Sequence, residues 1–495
     1  MASTAVPKRV ALHRNPTTDS SVTNSTTASP FDSPRQSPSS TSLSSMASEQ
    51  DNGGKMLDTY GNEFKIPDFT IKQIRDAIPA HCFHRSAITS LYYVFRDVAV
   101  LGSVFYLFHN YVTPETVPSF PARVALWGLY TVIQGLFGTG VWVLAHECGH
   151  QAFSPSKVLN DTVGWICHSA LLVPYFSWKI SHGKHHKATG NIARDMVFVP
   201  RTREEQASRL GKAVHELGEL MEETPIVTAL NLVLQQLFGW PMYLITNVTG
   251  HNNHEKQLEG RGKGKANGWF GGVNHFNPSS PLYEAKDAKL IALSDLGLLI
   301  TGSVLYYIGS TYGWLNLLVW YGIPYLWVNH WLGKFLENQS APHPRDEKIP
   351  DPQTDTIRFS SCHHLPPAHR PHPPHYQPES WNFARGAAAT IDRDFGFVGR
   401  HILHGIIETH VLHHYVSNIP FYNADEASEA IKGVMGEHYR SEAHTGWTGF
   451  FKAMWTSARI CQWVEPSEGT TGENHGVLFY RNTNGIGVPP SKSGK

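Results

Sequence analysis

The chain is short of charge and short of cysteine. Of 495 residues only 17% are charged, and 41 Lys and Arg balance 41 Asp and Glu. That balance lacks the basic excess with which nucleic-acid-binding surfaces announce themselves, so no nucleic-acid partner is expected. The five cysteines (Cys82, Cys148, Cys167, Cys362, Cys461) share no spacing pattern, which excludes a disulfide framework or a zinc knuckle. No apolar h-region follows the first residues, so no cleaved secretory signal is expected. Residues 1 to about 55 are poor in apolar side chains and rich in Ser, Thr and Pro, and read as a disordered tail. Rings and imidazoles are what the chain has in quantity: 12% aromatics and 29 histidines. Low charge with many rings suits a chain partly in lipid. Mean hydropathy is negative because the polar tail and loops dilute the apolar segments.

Those segments are long. AITSLYYVFRDVAVLGSVFYLFHNYV, from Ala87, can span a bilayer if Arg96 and Asp97 sit near an interface or pair. RVALWGLYTVIQGLFGTGVWVLAHE, from Arg123, is a cleaner span that ends at a histidine. The run TVGWICHSALLVPYFSW, from Thr162, falls below the roughly 20 residues a crossing helix needs. The segment from Ile226 holds Gln235, Gln236 and Pro241, whereas the runs from Leu290 and Trp314 read as a hairpin turned at Thr-Tyr-Gly. Lys65, Lys72, Arg75 and Arg85 precede the first span, and Lys157, Lys179, Lys184 and Lys187 follow the second. This basic excess puts both flanks in the cytosol.

Three histidine clusters stand apart by spacing. HECGH places His146 and His150 at i,i+4 at the end of the second span. HGKHH supplies His182, His185 and His186, and HVLHH supplies His410, His413 and His414. On a helix, positions i, i+3 and i+4 share a face, so each set aims its rings together. One His-x-x-x-His is most often a surface pair. Eight imidazoles in three such sets exceed the four ligands of an ordinary zinc site and suit two metals with open positions. Imidazole accepts iron, copper, nickel or zinc, so spacing alone does not choose among them. All three clusters must lie on one side of the membrane to meet. Two spans precede the first, and the Leu290–Trp314 hairpin returns the chain before the third. The Ile226 segment should therefore not cross. Four transmembrane helices with a cytosolic helical cap carrying the histidine-rich site form the self-consistent all-α architecture.

HECGHQAFS, SWKISHGKHHKATG and ETHVLHHYVSNIPFYNA resemble the three histidine boxes of the membrane fatty-acid desaturases, and are most similar to the fungal delta-12 (oleate) type. NVTGHNNH, GRGKGKANGWFGGVNHFNPSSPLYE, PHYQPESWNFARGAAATIDRDFG and YNADEASEAI agree as well. The resemblance runs from about Tyr60 to about Val464. It implies a di-iron centre held by the eight histidines, dioxygen as oxidant, and electrons from cytochrome b5 and its NADH-dependent reductase. It further implies an acyl-lipid substrate converted from oleoyl to linoleoyl, and a multi-pass protein of the endoplasmic reticulum membrane with its active site on the cytosolic side. That location rests on the resemblance, since the C-terminal SKSGK is neither KDEL nor a dilysine tail. The alternatives are delta-15 desaturation, acyl hydroxylation, or an inactive scaffold that keeps the boxes. Glu147, Asp195, Asp392 and Glu408 are candidates to orient the imidazoles, with a solvated acid as the competing reading of each. Asn329 is read as capping or packing, and His251, His254, His275, His401 and His404 as structural.

The likeness fails between Gly333 and Pro374. Relatives continue with a segment like I-T-Y-L-Q-H-T-D-P-T; here CHHLPPAHRPHPPHY stands before QPESW. The most histidine-dense stretch of the chain has prolines that forbid a helix, so nothing aims its rings. Codons for the expected segment, read from the third base, give His-Leu-Pro-Pro-Ala-His-Arg-Pro-His, which is His364 to His372. Gly333-Lys334-Phe335 can encode an intron start, and Phe359-Ser360-Ser361 a pyrimidine tract ending in AG. The expected organisation is therefore a disordered tail (1–55) and a first desaturase part with two boxes and four spans (56–332). A retained intron with out-of-frame exon follows (333–374), then a second desaturase part with the third box (375–465) and a flexible tail (466–495).

Overall fold

The computed structural model describes residues 54–205, 225–250, 272–337, 372–442, 455–482 and 485–491. The expected N-terminal tail, His251, His254 and residues 338–371 of the anomalous stretch lie outside the described residues, apart from 54 and 55.

Hydroxyl side chains start the first helices. Thr70 and Gln73 form a capping box on α1 (Ile71–Ala77). Ser86 accepts the Thr89 N–H at 3.2 Å to begin α2 (Ala87–Tyr111). Ser119 opens α3 (Phe120–Gly149), and Ser156 opens α4 (Lys157–Ala170) by accepting the Leu159 N–H at 3.3 Å. Each cap satisfies a donor that a helix start leaves open, worth about 1 kcal/mol. Then come α5 (Tyr175–His186), α6 (Pro225–Thr246), α7 (Ala288–Tyr312), α8 (Ile323–Glu337), α9 (Phe383–Ala387), α10 (His410–Tyr415) and α11 (Ala424–Met435). Gly313, at φ 97°, ends α7 in a conformation that costs other residues.

Among the described residues three helices are long and apolar enough to cross a membrane: Ala87–Tyr111, Phe120–Gly149 and Ala285–Tyr312, the last including a 3-10 turn ahead of α7. They present exposed apolar side chains such as Phe95, Val124 and Leu299, a surface that suits lipid. The fourth expected span is interrupted. An α turn (Trp314–Leu317) and a π turn (Leu318–Gly322) precede α8, which has 15 residues and so reaches only about 22 Å of a roughly 30 Å core. Pro324 has no N–H for the Trp320 carbonyl, and the Tyr130 hydroxyl donates to that carbonyl at 3.1 Å instead. A proline that frees a carbonyl is a common cause of such a break. Helix α8 packs on α3 and α6, and α3 also packs on α2, α4 and α5. The α3–α8 approach needs Gly135, where a Cβ would sit 2.2 Å from that of Trp327.

Two expectations are corrected. The fold is mostly helical but not all-α: β1 (His375–Tyr376), β2 (Trp463–Pro466) and β3 (Val477–Arg481) form an antiparallel sheet in the order β1-β3-β2. The stretch from 466 onward is not simply a flexible tail, because it contains β3, all five residues of which are buried. The run VLFYR is rich in the residue types that fit a pleated, covered surface and pairs along both edges. Arg481, 1% exposed, donates to the carbonyls of Leu57 at 2.9 Å and Asp58 at 3.3 Å, tying this end of the chain to residues 54–64. Beyond the sheet, β1 also bridges Asn191, in the turn that leaves α5.

Candidate metal centre

The last turn of α3 carries His146, and His150 follows as its C-terminal cap. Helix α5 carries His182, His185 and His186, and α10 carries His410, His413 and His414. The helical spacing thus turns each set toward a common point. Ligand-capable nitrogens of His146, His150, His182, His186 and His413 lie within 4.8 Å of one another. The Nε2 atoms of His146 and His186 each stand 3.1 Å from Nε2 of His182. His410, His414 and His185 continue the group: Nε2 of His414 is 3.2 Å from that of His410. The His414 ring lies 4.2 Å from that of His186 and 5.2 Å from that of His185. All eight histidines read from the sequence come together.

The electrostatics are those of lone pairs awaiting a cation. Burial, and then the neighbouring imidazoles, hold His182, His186, His413 and His414 well below the usual histidine range. His410 is pushed down to about 4 by burial and by His185, and His150 to about 3 by burial and by Lys179. These rings are neutral near pH 7, the state that binds metal. Nε2 of His150 and His413 and Nδ1 of His146 and His186 are buried without a hydrogen-bond partner. Each such atom costs about 1–3 kcal/mol if nothing meets it. A metal among these nitrogens would remove the cost for every one that ligates, so the residues present fit an all-imidazole metal centre.

Of the four acids considered, Asp195 alone bonds a box histidine. Its Oδ1 accepts from Nδ1 of His185 at 2.8 Å and from the backbone N–H of Val197 and Phe198 at 3.0 and 3.2 Å. This fixes the His185 tautomer with Nε2 free. Thr189, not singled out in the sequence, does the same for His414: its hydroxyl donates to the His185 carbonyl at 2.9 Å and accepts from Nδ1 of His414 at 3.0 Å. Asp392 holds the start of α10, accepting the Val411 N–H at 2.7 Å and the Tyr439 hydroxyl. Glu408 accepts the Phe395 N–H at 2.9 Å, and Glu147 the Phe421 N–H at 3.1 Å. Glu147 lies 3.9 Å from Nδ1 of His146, beyond hydrogen-bond range. These three acids brace backbone near the boxes. Asn329 is buried in α8. His275 is satisfied by Ser181, Tyr243 and the Leu244 carbonyl, a structural role. His401 is exposed, whereas His404 is buried against Asp97 at 2.8 Å. In the proline-rich stretch, His372 lies 6.1 Å from Tyr60 and His375 stands in β1, and neither joins the group.

One side of the cluster opens on a cavity of about 90 Å³. His146, His182, His185, His410 and His414 form one wall; Trp142, Trp178, Val197, Trp240, Tyr243, Leu332, Ile391, Ile406 and Ile407 form the rest. Trp178 stacks on His182 at 4.5 Å. The tryptophans were not legible as site residues, although Trp178 stands one helical turn before His182. The arrangement can hold a few methylene groups against the imidazole nitrogens and keep water away from them.

A family model described as "Fatty acid desaturase" matches residues 122–446, and one described as a domain of unknown function matches residues 14–105. An oleate hydroxylase of Claviceps purpurea is 58% identical over 471 residues, covering 94% of this chain and 93% of its own. A delta(12) fatty acid desaturase of Mortierella isabellina is 40% identical over 430 residues (85% and 93%). An endoplasmic reticulum omega-6 fatty acid desaturase of Glycine max is 38% identical over 416 residues (84% and 91%).

Proposed function

This chain belongs to the fatty acid desaturase family, and from that membership we propose that it oxidises an oleoyl chain at carbon 12, leaving a cis double bond and so a linoleoyl product. The observation that carries the reading is the convergence of five histidine side chains within 4.8 Å on the wall of an apolar cavity. Two iron ions held by His146, His150, His182, His185, His186, His410, His413 and His414 would supply the power to take hydrogen from an unactivated CH2, with dioxygen as oxidant and cytochrome b5 with its NADH-dependent reductase as electron source. The protein's own part is positional. Asp195 and Thr189 set tautomers, α3, α5 and α10 aim the rings, and the Trp and Ile wall excludes water and aligns one carbon pair. We place the protein in the endoplasmic reticulum membrane with the site on the cytosolic side. The broken segment 314–332 serves as the fourth crossing, its α and π turns adding to the length that α8 supplies.

The 58% identity to an oleate hydroxylase favours a second reading, in which the same attack ends in a hydroxyl group. One experiment tests both. The chain is expressed in a host lacking linoleate, both unaltered and with residues 333–374 replaced by the family-like segment, and its acyl products are identified. New 18:2 with its double bond at carbon 12 supports the first reading and a hydroxy acid the second. A carbon-15 double bond alone contradicts both. We further propose that residues 333–374 are a retained intron and out-of-frame exon. A spliced transcript lacking those bases supports this, and an unbroken mature message without splice sites contradicts it.

A further inference from the structure

An acidic side chain lies buried in a helix long enough to span. Asp97 of α2 is fully buried, and such a residue is costly in lipid unless paired. Its Oδ1 accepts from Arg96 Nε at 2.8 Å. Its Oδ2 meets Nε2 of His404, 2.8 Å away and 307 positions along the chain. His404 is 1% exposed and held at φ 55°, a conformation uncommon outside glycine. Gly140 of α3 completes the junction: a Cβ there would lie 2.5 Å from the Ile402 carbonyl and 3.0 Å from Asp97 Oδ2. Two membrane helices and one loop therefore meet at a single polar pair.

That loop shapes the cavity. Ile406 and Ile407, just after His404, line it, and His410 follows. The loop's backbone is braced by Gly405 N–H to the Gly399 carbonyl at 2.8 Å, Arg393 N–H to the Ile407 carbonyl at 3.0 Å, and Thr409 N–H to the Gly405 carbonyl at 3.1 Å. Its side-chain ties to α2 include the Asp97–His404 bond and the edge-on contact of the His404 ring with Tyr93 at 5.6 Å. An apolar pair of similar size would often stabilise as well or better, so a polar pair here is best explained by the geometry it imposes.

We propose that Asp97 and His404 are positioning residues that set where the Ile406–Ile407 wall stands against the histidines, and so which acyl carbons are attacked. This rests on the reading that the cavity takes an acyl chain. Neighbouring acyl carbons are little more than a bond length apart, so a displacement of about 1 Å is enough to change the outcome.

The test is the positional distribution of oxidised acyl products in a linoleate-free host, with membrane protein measured by immunoblot and iron by elemental analysis. Asp97→Leu removes the acceptor. His404→Asn shortens the side chain beyond reach while tolerating positive φ. Asp97→Asn keeps an acceptor for His404. The unaltered chain should give one dominant position, and Asp97→Asn should match it. Asp97→Leu and His404→Asn should raise the off-position fraction at least about fivefold with iron retained, as loose positioning requires. An unchanged distribution with less total product overturns the proposal. So does loss of both disruptive variants from the membrane, which would make the pair a folding requirement only. The same variants are made with residues 333–374 replaced by the family-like segment, and absence of any oxidised acyl chain in both backgrounds counts instead against the reading of the cavity.

Discussion

His413 and Asp195 test different parts of the centre. His413 has a buried Nε2 with no partner and stands in the five-histidine group. His413→Ala should abolish turnover and lower the iron bound per chain; full iron with unchanged turnover would remove it from the ligand set. Asp195 acts through His185, so Asp195→Asn should weaken metal affinity or turnover about 10- to 100-fold, read by metal titration against a competing chelator. Wild-type affinity and turnover would show that the 2.8 Å bond does not set the tautomer. The eight histidines were legible because helical spacing alone aims them. Thr189 was not, since a lone threonine after a box carries no pattern. Proximity in sequence marked Glu147, Asp392 and Glu408 without revealing that each accepts from backbone N–H groups.

Among the elements, glycines and one buried arginine fix how the parts meet. Gly140→Ala places a methyl group against the Ile402 carbonyl and should cost about 1–3 kcal/mol, seen as a lower melting temperature in detergent; an unchanged melting temperature would mean that α3 can withdraw freely from the loop. Arg481→Met leaves the Leu57 and Asp58 carbonyls without their charged donor and should destabilise by about 1.5–3 kcal/mol. It should also make residues 54–64 more open to limited proteolysis, and an unaltered cleavage pattern would refute that tether. The three uninterrupted spans were legible from length and apolarity. The break at Trp320 was not, because it depends on Tyr130 reaching a carbonyl 190 positions away. Strand β3 was not legible for a similar reason: four apolar residues and an arginine become a strand only when β1 and β2 are there to pair with them.

At the scale of the whole molecule, helices long enough to span a membrane carry a cluster of imidazoles that burial keeps neutral. His410 falls from the usual 6.5 to about 4 on folding, so between those values the unfolded chain binds a proton that the native state does not. This group's contribution is therefore fully present above about pH 6.5 and is lost as pH falls toward 4; at pH 5 its loss costs about 2 kcal/mol. The other depressed histidines act in the same direction. Metal-free protein should melt at a lower temperature at pH 5 than at pH 7, and equal melting temperatures would contradict the depressed values. Whether the three histidine boxes form one metal centre is decided by the metal content of purified protein that oxidises acyl chains. Two iron ions per chain are expected, lost together with activity on chelation; active protein containing no iron would contradict a di-iron centre.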